Sequence, residues 1–101
     1  MGFLSRLLGL GPKKKVLDLI QQQQGTFIDV RQPHEFQAEH HLGSTNIPLP
    51  EIAKSMEKIK QLPPPYILVC RSGARSAMAA QQLKQAGLEA YNGGAWQNLE
   101  K

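Results

Sequence analysis

Apolar positions along the chain fall into short continuous runs separated by stretches with helical spacing. The runs at residues 26–30 and 66–70 are rich in β-branched, aliphatic and aromatic residues and predict strands. A third, short strand is predicted at residues 89–91, before Gly93-Gly94. Helices are predicted over four other stretches, residues 13–24, 33–38, 50–62 and 73–86. Because strands alternate with helices, the pattern predicts an α/β domain whose small, mostly parallel sheet has helices on both faces.

The predicted helices and the last helical turn each present an apolar face. Three sets of residues are expected to face the core: Ile52, Met56 and Ile59 in the third helix, Ala77, Ala80 and Leu83 in the fourth, and Trp96 and Leu99 near the end of the chain.

Composition restricts the class of protein. The chain has 101 residues, of which 41% are hydrophobic and 20% charged, as expected for one globular domain. The single cysteine excludes an internal disulfide framework and favours a reducing compartment, so a cytoplasmic location is expected. The net charge of +4 suggests anionic partners without naming one. The basic residues are scattered and carry no interleaved aromatic platform, so nucleic-acid binding is not expected.

The first residues differ from the rest. Residues 1–12 are predicted to form an N-terminal arm and residues 13–101 the domain. The arm is too short and too interrupted to span a membrane, and it lacks the flanking features of a signal peptide. Its apolar face and the lysines that follow suggest contact of residues 1–15 with an anionic membrane surface, but a short arm that packs on the domain or frays is favoured.

The candidate chemistry lies where the strand at residues 66–70 meets the next helix. Cys70 ends the strand, and Gly73 allows the following backbone to curl so that its N–H groups converge. The helix dipole, Arg71 and Arg75 add positive potential beside the thiol. Such surroundings lower a cysteine pKa to about 3.5–7.5. The alternative is an inert buried cysteine, but the crowding of charge and glycine beside Cys70 favours a nucleophilic thiolate in an anion-binding pocket.

Other polar residues invite weaker interpretations. Asp29 and Arg31, which flank the end of a strand, form either an acid–base pair or a structural ion pair, and the structural pair is preferred. His34, His40 and His41 have no further ligand at metal-binding spacing, so no metal site is expected.

Two serines lie beside the cysteine loop. Ser72 and Ser76 are candidate donors to a bound anion, and Ser76 is alternatively a backbone partner near the start of the helix. Trp96 is expected to cover the core rather than to bind substrate.

Several motifs, taken in order, resemble a single-domain rhodanese over about residues 16–99. The matching pieces are Ile28-Asp29-Val30-Arg31, Glu35-Phe36, His40, Gly43, Asn46-Ile47-Pro48-Leu49, Cys70-Arg71-Ser72-Gly73-Ala74-Arg75-Ser76, Gly93-Gly94 and Trp96. The resemblance implies a sulfurtransferase with five parallel strands, although the family's first strand has no clear counterpart in this chain. It implies that Cys70 carries sulfane sulfur as a persulfide. It also implies that the donor anion is bound by Arg71, Ser72, Gly73, Ala74 and Arg75, with no metal or organic cofactor.

The length of the loop bears on the reaction. Four residues separate Cys70 from Arg75. Phosphatases and arsenate reductases of related fold typically have a longer loop, with five residues between the cysteine and the arginine. The resemblance therefore favours sulfur transfer from thiosulfate or a similar small anion to cyanide or a thiol over phosphoryl transfer. A protein-to-protein persulfide relay or a redox-sensing module remains an alternative, and its sulfur donor or acceptor would be another protein.

Overall fold

A computed structural model describes residues 14–100 and contains a four-stranded parallel sheet in the order β2-β1-β3-β4. The strands are β1 Thr26–Asp29, β2 Thr45–Asn46, β3 Tyr66–Cys70 and β4 Ala90–Ala95. The helices are α1 Lys14–Gln21, α2 Pro33–Ala38, α3 Met56–Lys60 and α4 Ala74–Gln85. The α/β class and the parallel sheet are confirmed, and the described residues form one strand fewer than the resemblance implies.

The core has two layers because alternate residues of a strand point to opposite faces of the sheet. Leu68 and Cys70 of β3 face the layer that contains α3 and α4. Ile67 and Val69 face the layer that contains α1, Trp96 and Leu99. All five residues of β3 are buried, as expected for a central parallel strand covered on both sides. Helices on both faces are thereby confirmed.

The buried face of α4 differs from the predicted one. Ser76, Ala79, Ala80 and Leu83 are buried, whereas Ala77 is exposed. These four residues follow the spacing of one helical stripe, and Ala77 lies outside it. The prediction for Ala77 was wrong because an alanine-rich helix offers several stripes of similar hydrophobicity.

The segment predicted as one helix over residues 50–62 is broken. Two 3₁₀ turns, Leu49–Glu51 and Ala53–Ser55, precede α3. Ile52 and Ile59 are fully buried as predicted, but Met56 is only half-buried at the margin of the core.

Strand β4 is longer than the predicted run at residues 89–91. Its register with β3 shifts between Leu68 and Val69, where Asn92 and Gly94 are the partners, so Gly93 is the extra residue of a β-bulge. A Cβ at Gly93 would lie 2.8 Å from Ile67 Cγ2, so any larger residue would clash with the side chain of the neighbouring strand β3. A 3₁₀ turn at Trp96–Glu100 follows β4.

The N-terminal arm lies outside the described residues, as does most of the segment proposed to touch a membrane. Of its described part, Lys14 pairs with Asp18 at 3.2 Å and Lys15 pairs with Glu89 at 3.5 Å. Within residues 14–100, no helix is both long and apolar enough to cross a bilayer.

Candidate active site

The Cys70 side chain lies at the carboxyl edge of the central strand, where ligands commonly bind in parallel α/β sheets. Its strand has β1 on one side and β4 on the other. The residue is fully buried, and residues 71–73 connect it to α4. The sulfur therefore lies at the base of a strand–loop–helix junction.

Three groups contact the sulfur directly. The Gly73 N–H donates to Cys70 Sγ at 2.9 Å, and the Ser76 N–H donates at 3.4 Å. Ser76 Oγ also lies 3.4 Å from Sγ. Since two of these contacts are N–H donors, the loop and the first turn of α4 are arranged to hold negative charge on the sulfur.

The hydrogen bonds outweigh the effect of burial on the thiol. Burial raises the pKa of Cys70, but Ser76 Oγ and the N–H groups of Ser76, Gly73 and Ser72 lower it, and the net pKa lies below the ordinary value. These hydrogen bonds thus stabilise the thiolate, which is the nucleophilic form, relative to that of an ordinary cysteine.

Gly73 is the residue that allows this loop geometry. It caps α4 with φ +102° and ψ −8°, in the left-handed region that disfavours other residues. This conformation directs its N–H toward Sγ while its carbonyl accepts the N–H of Ala77 inside the helix. The glycine is therefore needed for its backbone angle.

A second layer of contacts, which the sequence analysis missed, comes from Asn92 on β4. Its Oδ1 accepts the Ser76 hydroxyl at 2.6 Å and the Gly94 N–H at 2.9 Å. Its Nδ2 donates to the Gly73 carbonyl at 3.1 Å. Asn92 thus touches both residues that contact the sulfur. A polar residue before Gly93-Gly94, in a strand beside the cysteine strand, was the available signal.

Arg75 is bound by Glu35, a residue that belonged to a matching motif but was given no role. Arg75 Nη1 and Nη2 lie 2.7 and 3.2 Å from the two Glu35 carboxylate oxygens. The bond from Arg75 and a further bond from the Gln32 N–H lower the pKa of Glu35 to about 2. Glu35 in turn raises the pKa of Arg75. Much of the positive charge that Arg75 was expected to add beside the thiol is therefore balanced.

The rest of the loop faces outward. Arg71, Ser72 and Ala74 are exposed, and Arg71 makes no hydrogen bond or ion pair with another residue in the described range 14–100. Of the five residues predicted to bind the donor, Arg71, Ser72 and Gly73 form the loop, while Ala74 and Arg75 begin α4. Arg71 supplies the unbalanced cation of this segment.

Asp29 and Arg31 form a buried ion pair beneath the neighbouring strand end. Arg31 Nη2 lies 2.8 Å from Asp29 Oδ2 and also donates to the Glu39 carbonyl at 2.8 Å. The Arg31 guanidinium lies 5.1 Å from the centre of the Trp96 ring, which is buried in the core. These contacts tie the end of β1 to the next loop and to the last turn of the chain.

Two of the three histidines contact other residues, and the third is exposed. His34 is exposed, His40 Nδ1 donates to the Phe36 carbonyl at 2.6 Å, and His41 contacts Glu100. Among the residues that the structure describes, no three His, Cys, Asp or Glu side chains are grouped to hold a metal ion.

Comparison with known proteins places this geometry in context. A family model described as "Rhodanese-like domain" matches residues 13–98. Two similar proteins come from Bacillus subtilis. The uncharacterized protein YqhL is 44% identical over 66 residues, covering 64% of this chain and 52% of YqhL. The putative sulfur carrier protein YrkF is 37% identical over 62 residues, covering 61% of this chain and 33% of YrkF. The chain thus spans about half of YqhL and about a third of YrkF.

Two further similarities cover more of the related molecule. Thiosulfate sulfurtransferase GlpE of Pseudoalteromonas translucida is 33% identical over 75 residues, covering 74% of this chain and 70% of GlpE. The solved structure of a rhodanese with anions from E. coli has a TM-score of 0.65 and 29% identity, covering 72% of this chain and 88% of the other.

Proposed function

The chain belongs to the rhodanese-like domain family, and from that premise we propose that it is a sulfurtransferase that carries sulfane sulfur on Cys70. The observation that carries the proposal is the buried Cys70 sulfur, which accepts the Gly73 N–H at 2.9 Å at the start of α4. An N–H donor at this distance stabilises a thiolate and would stabilise the anionic persulfide formed from it.

The proposed reaction is a double displacement. The Cys70 thiolate attacks the outer sulfur of thiosulfate, the donor's S–S bond breaks, and its electron pair leaves with sulfite. A Cys70 persulfide remains. An acceptor, cyanide or a thiolate, then attacks the outer sulfur and restores the Cys70 thiolate. No net oxidation occurs, and covalent catalysis of this kind divides the transfer into two steps.

Arg71 and the loop amides have separate roles in this proposal. The amides hold the sulfur that is covalently attached, while the exposed Arg71 attracts the incoming dianion and its sulfite product. Arg75 is held by Glu35 and chiefly positions the first turn of α4. Donor recognition therefore relies on one exposed cation and the backbone.

The donor is proposed to be a small anion because four residues separate Cys70 from Arg75 in the loop. This short loop suits a terminal sulfur atom better than a phosphate or arsenate. Two-substrate kinetics with thiosulfate and cyanide test the proposal. Parallel double-reciprocal lines are expected, with no turnover by Cys70→Ser. Hydrolysis of p-nitrophenyl phosphate without sulfur transfer would overturn it.

A persulfide relay is the second candidate, and the similarity to a putative sulfur carrier favours it. The chain has one cysteine, so no second cysteine within it can resolve a Cys70 persulfide as a disulfide, and the sulfur must pass to another molecule. Persulfide loading by a cysteine desulfurase, together with negligible thiosulfate turnover, would favour the relay. Efficient thiosulfate turnover would favour the enzyme.

A further inference from the structure

Two acceptors lie close enough to compete for the hydroxyl proton of Ser76. Ser76 is fully buried, and its hydroxyl has one proton and two neighbouring acceptors. Asn92 Oδ1 lies 2.6 Å away and Cys70 Sγ lies 3.4 Å away. The hydroxyl proton can serve only one of them at a time.

The orientation of the Asn92 amide settles which of its atoms faces Ser76. The Gly73 carbonyl requires a donor and therefore faces Nδ2, while the Gly94 N–H requires an acceptor and therefore faces Oδ1. Oδ1 is thus held toward Ser76 as an acceptor. With an uncharged thiol, the hydroxyl donates to Asn92 and its lone pair accepts from the Cys70 S–H.

Ionisation of the thiol changes this arrangement. The thiolate has no proton to donate, so it gains from the Ser76 hydroxyl only if that proton turns away from Asn92. The turn sacrifices a short hydrogen bond at 2.6 Å for a longer contact at 3.4 Å. Asn92 therefore opposes part of the stabilisation that Ser76 would otherwise give the thiolate.

We propose that Asn92 is a positioning residue that competes with the Cys70 sulfur for the hydroxyl proton of Ser76 and thereby sets the nucleophilicity of the sulfur. The loop itself does not depend on Asn92 alone, because the Gly73 carbonyl also accepts the Ala77 N–H at 3.0 Å. Removing the amide should chiefly release the Ser76 proton to the sulfur.

This competition has a consequence for reactivity. A thiolate with a lower pKa is more abundant at neutral pH but intrinsically less nucleophilic. Asn92 would keep the Cys70 pKa from falling further and so preserve the reactivity of the ionised sulfur. In its bearing on sulfur transfer this inference rests on the proposed function, whereas the thiol pKa is measured without any sulfur donor.

The charged groups near the thiol are the same in all the variants compared. Arg75 approaches from α4 with Glu35 of α2 bound to it, Arg71 lies in the loop, and Asp29 lies at the end of β1. A change of pKa between variants therefore does not come from a change in nearby charge.

The test is the pH dependence of Cys70 alkylation by iodoacetamide in Asn92→Leu, which keeps the branching and the number of heavy atoms of the side chain and removes both polar atoms. We expect the Cys70 pKa to fall by roughly 0.5–1 pH unit and the plateau rate at high pH to fall about twofold. In a Ser76→Ala background, Asn92→Leu should produce no fall. Asn92→Ala, measured in the same way, provides a second variant if Asn92→Leu does not unfold cooperatively.

A matched control is available in Asn98→Ala. The Asn98 amide donates at 2.8 Å to the carbonyl of Gly93, the residue next to the Gly94 that Asn92 contacts. Asn98 makes no hydrogen bond with Ser76. This control should leave the Cys70 pKa unchanged. The proposal is wrong if the pKa stays constant or rises in both Asn92 variants, if the same fall persists without the Ser76 hydroxyl, or if Asn98→Ala reproduces it.

Discussion

Gly73→Ala separates the role of the loop backbone in chemistry from its role in stability. Gly73 has φ +102°, and a Cβ there would approach Gly94 Cα to 3.4 Å, so the site has room for a methyl group. The cost is backbone strain of about 1–2 kcal/mol. Because alanine relieves this strain by rotating the peptide, the Gly73 N–H should turn away from Cys70 Sγ, to which it now donates at 2.9 Å.

The expected change in the thiol follows from that one bond. A hydrogen bond to a charged group contributes about 1.5–3 kcal/mol. At about 1.4 kcal/mol for each pH unit, its loss raises the Cys70 pKa by about one to two pH units. The pH profile of alkylation by iodoacetamide measures this shift, and urea unfolding measures the strain.

Gly87→Ala is the matched control. Gly87 also has a positive φ, +84°, and a Cβ there would meet no atom within 4 Å. It follows the far end of α4, whose 12 residues span about 18 Å. Both variants should lose about 1–2 kcal/mol of stability, but only Gly73→Ala should shift the pKa of Cys70. An unchanged pKa in Gly73→Ala, or an equal shift in both variants, would refute the reasoning.

Three further substitutions test other parts of the account. Gly93→Ala should destabilise the fold by about 1–3 kcal/mol in urea unfolding, because its Cβ would lie 2.8 and 2.9 Å from two β3 side chains; an unchanged midpoint would contradict the tight bulge. Glu35→Gln should lower the free energy of unfolding by about 1 kcal/mol at neutral pH. This difference from the parent should shrink as the pH falls from the ordinary carboxyl pKa of 4.5 toward about 2, because Arg75 lowers the pKa of Glu35 and the unfolded chain takes up the proton first. A difference in unfolding free energy that persists below pH 2 would argue against the pair. Arg71→Gln should raise the KM for thiosulfate about two- to fivefold, and an unchanged KM would exclude Arg71 from donor binding.

The parts of the site that lie close together in sequence could be predicted from it. Cys70, Gly73 and the start of α4 are consecutive, so local rules for a buried strand, a left-handed glycine and a helix dipole were sufficient. The same holds for the spans of β3 and α2, where apolar runs and a proline at the start of a helix give unambiguous signals.

Contacts between distant segments could not be predicted in this way. Arg75 and Glu35 are 40 residues apart, and Ser76 and Asn92 are 16 apart, so their pairing depends on how α2 and β4 pack beside the loop. A sequence pattern identified Arg75 as a cation, but only the structure shows its charge balanced by a carboxylate.

The length of β4 was missed for a different reason. Glycine usually weakens or interrupts a strand, and the sequence predicts a strand only at residues 89–91, before Gly93-Gly94. In the structure the absence of side chains at this point lets the bulge lie against β3 and continue the sheet. The requirement for glycine comes from Ile67 and Val69 of the neighbouring strand.

The central claim is that Cys70 carries sulfur, and intact-protein mass after brief exposure to thiosulfate tests it most directly. The account predicts a gain of one sulfur atom, removal of that atom by cyanide, and no gain in Cys70→Ser. Persistent absence of the added sulfur in folded protein, with thiosulfate, polysulfide and a desulfurase each supplied as donor, would contradict the claim.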